Sequence, residues 1–173
     1  MDAPKISVIG PGAMGEAIIA GLLRDGLTPA QHVTASGPDA ERVEELRSLY
    51  GVRPMTDNAA AVEGADVVIL SVKPQRLERV LSGLRGKVPP HALVLSIVAG
   101  AALPAISESL QHKALVRAMP NTPAQIGEGI TVWTASAAVS PEQHELARRI
   151  LGALGSEIFV EEENYLDMAT ALS

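Results

Sequence analysis

From Lys5 to about Leu110, short apolar runs alternate with longer segments whose apolar residues recur at helical spacing. Lys5-Ile6-Ser7-Val8-Ile9 is short and β-branched, the composition of a strand buried on both faces of a parallel sheet. A helix is predicted from Ala13 to Asp25, with Ala13, Ala17 and Gly21 forming a small face for packing on a sheet and Gly26 as its stop. His32 to Ser36 predicts a second strand, and Ala40 to Leu49 a charged helix. Tyr50 to Pro54 reads as a turn and a short strand, and a short helix starts near Asp57 or Asn58. Val67 to Val72 is the clearest buried strand; Pro74 is placed to open the helix that runs to Leu84. Ala92 to Ile97 is a fifth strand, followed by a short helix from Leu103 to Leu110.

Leu115 to Met119 predicts a sixth strand that runs into Pro120-Asn121-Thr122-Pro123, where two prolines exclude regular structure. Gly129 to Ala135 is a seventh strand, carrying Trp133. Ser140 as N-cap and Pro141 at the first position open a helix to about Leu154, and Glu157 to Val160 is a last short strand. The alternation implies an α/β fold: a Rossmann-like, doubly wound, mainly parallel sheet of about eight strands. Residues 1–161 are expected to form this domain. Residues 162–173 start a helix, with apolar surface near Tyr165 to Leu172, and then stop without a cap. We expect a fragment, or a chain whose partner domain is absent, rather than a frayed terminus.

Composition narrows the function. The 173 residues suffice for one domain with a substantial core. No apolar stretch reaches the ~18–20 residues of a membrane span, and the start lacks the pattern of a signal peptide. The absence of cysteine excludes disulfides, a thiolate nucleophile and a cysteine-based zinc site, and favours the cytoplasm. His32, His91, His112 and His144 are scattered without ligand spacing, so no metal is expected. A net charge of −6 argues against non-specific nucleic-acid binding, though not against a local basic pocket for phosphate. Aromatic residues make up only 2% of the chain, so the core must be aliphatic.

Against that background one motif carries chemistry. Gly10-Pro11-Gly12-Ala13-Met14-Gly15 is a G-x-G-x-x-G set between a strand and a helix. Gly10 permits the tight turn, Gly12 lets a pyrophosphate approach the backbone, and Gly15 lets the helix pack on the strand. The helix start then offers free N–H groups and a positive dipole end to phosphate. At the end of the second strand, Ser36 stands where NAD-binding folds usually carry an acid, which leans toward NADP(H), with Arg42 one turn on; NAD(H) stays possible. Asp39 is either a ribose ligand or the cap of the next helix. Asn58 is a cap or a cofactor contact, and Lys73 a cofactor neighbour or a solvated loop residue. Asn121 and Thr122 are either a substrate-facing amide and hydroxyl or a structural corner.

With these residues placed, the sequence resembles the N-terminal domain of pyrroline-5-carboxylate reductases, over essentially its whole length. The resemblance rests on Ile9 to Gly15, Ser71-Val72-Lys73-Pro74, Val98-Ala99-Gly100, Arg117 to Pro123, Glu128 to Val132 and Asp167 to Ser173. It implies an NAD(P)H site lined by Ile9, Gly10, Gly12, Ala13, Met14, Asn58, Ser71, Val72, Lys73, Pro74, Ala99 and Gly100. It also implies hydride transfer from nicotinamide to the C=N carbon of a cyclic imine, giving proline, with no residue of this chain assigned as general acid. Two departures matter. Gly37 replaces a hydroxyl that often helps hold the 2′-phosphate. The family also continues into a helical domain that builds the homo-oligomer and most of the substrate pocket. The chain alone is therefore expected to be a monomer or weak dimer that binds NAD(P)H with little reductase activity. A related NADP-dependent oxidoreductase with another substrate, or a non-catalytic nucleotide-binding module, are the alternatives.

Overall fold

In the computed structural model, which describes residues 2–172, the strands are β1 (Ile6–Ile9), β2 (Val33–Ser36), β3 (Arg53–Met55), β4 (Val67–Leu70), β5 (Leu93–Ser96), β6 (Leu115–Met119), β7 (Gly129–Ala135) and β8 (Gly155–Phe159). The helices are α1 (Ala13–Arg24), α2 (Ala40–Tyr50), α3 (Asn58–Ala61), α4 (Pro74–Leu84), α5 (Leu103–Leu110), α6 (Pro141–Gly152) and α7 (Asn164–Leu172). Met1 and Ser173, the latter the end of the last sequence motif, lie outside the described residues.

All eight strands join one sheet in the order β3-β2-β1-β4-β5-β6-β7-β8. Every neighbouring pair is parallel except β6 and β7. The link between those two holds only a 3₁₀ turn, Thr122–Ile126, which is too short for the crossover that parallel neighbours need. Successive side chains of a strand point to opposite faces, and β4 shows the result. Val67 and Ile69 enter the core shared with α1, α2 and α6, whereas Val68 and Leu70 enter the core under α4 and α5. Helices on both faces therefore force β1, β2, β4 and β5 to be buried along their whole length. The predicted doubly wound fold is the observed one.

Four local expectations need correction. Regular structure does enter the Pro120–Pro123 corner: Pro123 occupies the first turn of the 3₁₀ segment, where its missing N–H leaves nothing unpaired. Of the small face of α1, Ala17 packs on the core shared with the sheet, but Ala13 is exposed and Gly21 meets a helix end, where a Cβ would lie 2.8 Å from Cβ of Ala153, just past α6. β4 stops at Leu70, since Ser71 turns to bond the loop after β1. β8 starts earlier than predicted, at Gly155, whose φ of +127° and close approach to Gly129 only glycine allows.

Candidate functional site

β1 lies between β2 and β4, so the chain leaves the sheet in opposite directions on its two sides, and a crevice opens beyond the carboxyl ends of these strands. Gly10 begins the crevice with a φ of +95°, its N–H donating to the Ser36 carbonyl at 2.9 Å. A Cβ there would stand 2.7 Å from the Val72 nitrogen, and one on Gly15 would stand 2.7 Å from the Gly10 carbonyl oxygen. Those two glycines are demanded by packing. Gly12 is different: it is exposed, has an ordinary φ of −82°, and a Cβ added to it would meet nothing within 4 Å. It is the N-cap of α1 with no side-chain cap bond, and the helix's first N–H groups have no intrahelical acceptor. Exposed Ala13 and half-buried Met14 follow it.

Three side chains, one after β4 and two of α2, fix this loop and the first turn of α1. The Ser71 hydroxyl donates to the carbonyl oxygen of Gly10 at 2.6 Å and also approaches that of Ile9 at 3.1 Å. Arg42 of α2 donates through Nε to the Pro11 carbonyl at 2.7 Å and through a terminal nitrogen to Glu16 at 2.7 Å, with Glu45 on its other terminal nitrogen at 3.0 Å. Tyr50, at the end of α2, donates its hydroxyl to the second oxygen of Glu16 at 2.7 Å. The Tyr50 hydroxyl first, and Arg42 next, hold the Glu16 carboxyl below its ordinary value; the same bond, helped by burial, raises Tyr50. Asp39 caps α2, accepting from the N–H groups of Glu41 and Arg42.

A cleft of about 780 Å³ extends from Gly10 between two walls. One wall is Ser36, Gly37 and Pro38 after β2, together with Thr56, Asp57 and Asn58 before and at the start of α3. The other is Val72 followed by Gln75, Arg76, Arg79 and Gly83 of α4, with Lys87 beyond. Ser36 is fully buried and donates its hydroxyl to Asn58 Oδ1 at 2.7 Å. The cap of α3 is Asp57, not Asn58.

The structure brings Gly10, Ser36, Asn58 and Val72 into this cleft, while Pro74, Ala99 and Gly100 line a smaller hollow of about 260 Å³ on the other flank of α4. Lys73 is the exposed N-cap residue of α4. The Ile9 side chain belongs to the core and its carbonyl accepts from Ser71 N–H, so neither is turned to a ligand. Asn121 Oδ1 accepts from the Ile130 N–H at 2.9 Å, pinning the loop after β6 to β7, and Thr122 is exposed beside it. Neither lines the two hollows. Among the described residues no group of acidic and histidine side chains could hold a metal ion. Sequence reasoning missed the cations of α4. Their signal was there: Leu77, Leu81 and Leu84 mark the buried face, which leaves Arg76 and Arg79 together on another.

Known proteins share this fold. The chain is 38% identical over 174 residues to the pyrroline-5-carboxylate reductase of Pseudomonas aeruginosa, covering 100% of this chain and 63% of that protein. The solved pyrroline-5-carboxylate reductase of Coxiella burnetii superposes with a TM-score of 0.92 at 31% identity, over 99% of this chain and 64% of that one. The NADP-bound pyrroline carboxylate reductase of Plasmodium falciparum shares the fold, with a TM-score of 0.87 at 24% identity, over 100% of this chain and 63% of that one. The chain thus spans about three-fifths of the length of the relatives it matches. Since residues 5–100 match the family model described as NADP oxidoreductase, coenzyme F420-dependent, the chain belongs to that family, and along its length it corresponds to the N-terminal part of pyrroline-5-carboxylate reductases.

Proposed function

We propose that this chain is the NAD(P)H-binding part of a reductase that converts the cyclic imine pyrroline-5-carboxylate to proline. The observation that carries the reading is the contrast within the glycine loop. Gly10 and Gly15 are enclosed by protein, whereas the space over Gly12 is open and faces the start of α1. A pyrophosphate fits there, because the first N–H groups of α1, at Ala13 and Met14, have no intrahelical acceptor and, with the helix dipole, suit an anion. The Gly12 N–H instead donates to the Gly10 carbonyl. The adjoining cleft has room for the adenosine half and carries more cations than acids. When bound, the nicotinamide supplies the hydride, and an iminium carbon accepts it without a protein nucleophile.

The contribution of this chain is placement. Ser71 and Arg42 hold the loop carbonyls of Gly10 and Pro11 inward, which leaves the first N–H groups of α1 for the ligand. Asn58, held by Ser36, and Val72 flank the adenosine side in this reading. Lys73, Pro74, Ala99 and Gly100 flank the nicotinamide side, and Asn121 and Thr122 border the substrate. Because the relatives are longer than this chain, the ring and carboxylate contacts, and the homo-oligomer, are assigned to protein outside these residues. The reading includes a cytoplasmic location; among the described residues no helix is long and apolar enough to cross a membrane.

The test is a fluorescence or calorimetric titration with NADPH and NADH, paired with a pyrroline-5-carboxylate reduction assay. Binding of at least one cofactor with little turnover is expected. Binding of neither would overturn the reading, and turnover near that of full-length relatives would overturn the assignment of the substrate pocket.

A further inference from the structure

Building on the cofactor reading above, we propose that the cationic face of α4, Arg76 and Arg79 with Lys87, is the group that selects a phosphorylated adenosine ribose, the 2′-phosphate of NADP(H).

The sequence points first to Arg42 and Ser36 for this task, and the structure commits both elsewhere. Arg42 spends its guanidinium on the Pro11 carbonyl, Glu16 and Glu45. The Ser36 hydroxyl is fully buried and donates to Asn58. Gly37, the next residue, has no side chain to offer. The wall after β2 therefore contributes shape but no free cation.

The facing wall contributes three. Arg76 and Arg79 are exposed, line the same cleft and, among the described residues, form no ion pair or side-chain hydrogen bond; the same holds for Lys87. At i, i+3 the two arginines stand roughly 4.5 Å apart along the helix axis, close enough to grip one phosphate. Among the described residues the only acid lining the cleft, Asp57, already accepts from the N–H groups of Ala59 and Ala60 as the cap of α3. Glu78 lies on the other flank, in the smaller hollow. In a chain of net charge −6, three uncompensated cations along one cleft wall are a local reversal of sign. Arginine's planar fork suits a phosphate monoester better than a neutral ribose. Because α4 follows β4, this wall borders the same crevice as Gly10, so one dinucleotide can span the loop and the wall.

The test compares the wild-type chain with Arg76→Gln, Arg79→Gln and the double variant. NADPH, NADH, 2′,5′-ADP and 5′-AMP are titrated by calorimetry, and circular dichroism is recorded alongside. We expect the double variant to weaken NADPH and 2′,5′-ADP at least tenfold while NADH and 5′-AMP change less than twofold, with an unchanged spectrum. An equal loss for both pairs would overturn the proposal, since it would mean that the arginines hold the base or the pyrophosphate. No loss for either pair would overturn it too. Both results leave the cofactor reading standing, because the wild-type chain would still bind. A wild-type chain that bound neither cofactor would sink that reading and this inference together.

Discussion

The Nε of Arg42 donates to the carbonyl oxygen of Pro11 at 2.7 Å, so the second helix grips the middle of the glycine loop. The same guanidinium reaches Glu16 in the first turn of α1. One side chain thus sets the distance between α2 and the residues that would meet a pyrophosphate. Arg42→Gln should lower stability by about 1.5–3 kcal/mol, the usual worth of a charge-assisted hydrogen bond in a partly buried place. It should also weaken NADPH and NADH by similar factors, because the loop and not the 2′-phosphate is disturbed. Urea denaturation and paired titrations check both outcomes. A loss confined to NADPH would show that Arg42 reads the phosphate directly.

The Glu16–Tyr50 bond predicts how stability follows pH. The Glu16 carboxyl is lowered from 4.5 in the folded chain. Its contribution is therefore fully present above about 4.5 and is lost as pH falls through the lower folded value. The Tyr50 hydroxyl is raised from 10.0, so its contribution is present below about 10 and is lost as pH rises through the higher folded value. Glu16→Gln should flatten the acid side of a Tm-against-pH curve, and Tyr50→Phe the alkaline side. If either variant keeps the full slope on its own side, the bond does not govern that limb.

Two glycines of one motif should respond oppositely to alanine. Gly10→Ala combines a φ of +95° with a Cβ 2.7 Å from backbone, and should destabilise by more than about 2 kcal/mol. Gly12→Ala meets open space at an allowed φ, so Tm should move by no more than a few degrees. Its methyl group would stand where the pyrophosphate approaches, and binding should fall at least tenfold for both cofactors. Thermal melts and titrations on the two variants separate the packing role from the ligand role. Unchanged binding by Gly12→Ala would argue that nothing approaches the loop there.

Much of this architecture was legible because its signals are local. Ile6 to Ile9 is a buried run closed by a glycine turn, and Pro74 announces α4 at its first residue. What escaped is set by partners distant in sequence. Nothing next to Arg42 reveals that Pro11, 31 residues away, accepts from it. Gly155 reads as a turn after a helix, and only its pairing with Gly129 makes it a strand residue. The cleft has the same character. The glycine motif located one end, while the cations of α4 acquire a meaning only once topology turns that helix toward the carboxyl end of β2.

The last prediction concerns how α7 is held. Arg117 on β6 is 2% exposed and pairs with Glu163 at 2.9 Å and Asp167 at 2.9 Å. Glu163 also accepts from the Leu103 N–H at 2.7 Å, so it joins the start of α7 to both β6 and α5. Its side chain is 25% exposed against 65% for Asp167, and the two bonds should differ accordingly. Removing Glu163 leaves a buried guanidinium and a backbone N–H short of an acceptor, and Glu163→Ala should cost about 3 kcal/mol or more. Asp167→Ala should cost less than about 1 kcal/mol, the range of a solvated pair. If α7 docks through this triad, Glu163→Ala should also speed proteolysis after residue 160 without changing cofactor affinity, because Glu163 lines neither hollow. Equal costs for the two variants would mean that burial of the Arg117 charge does not decide how this end of the domain is fastened.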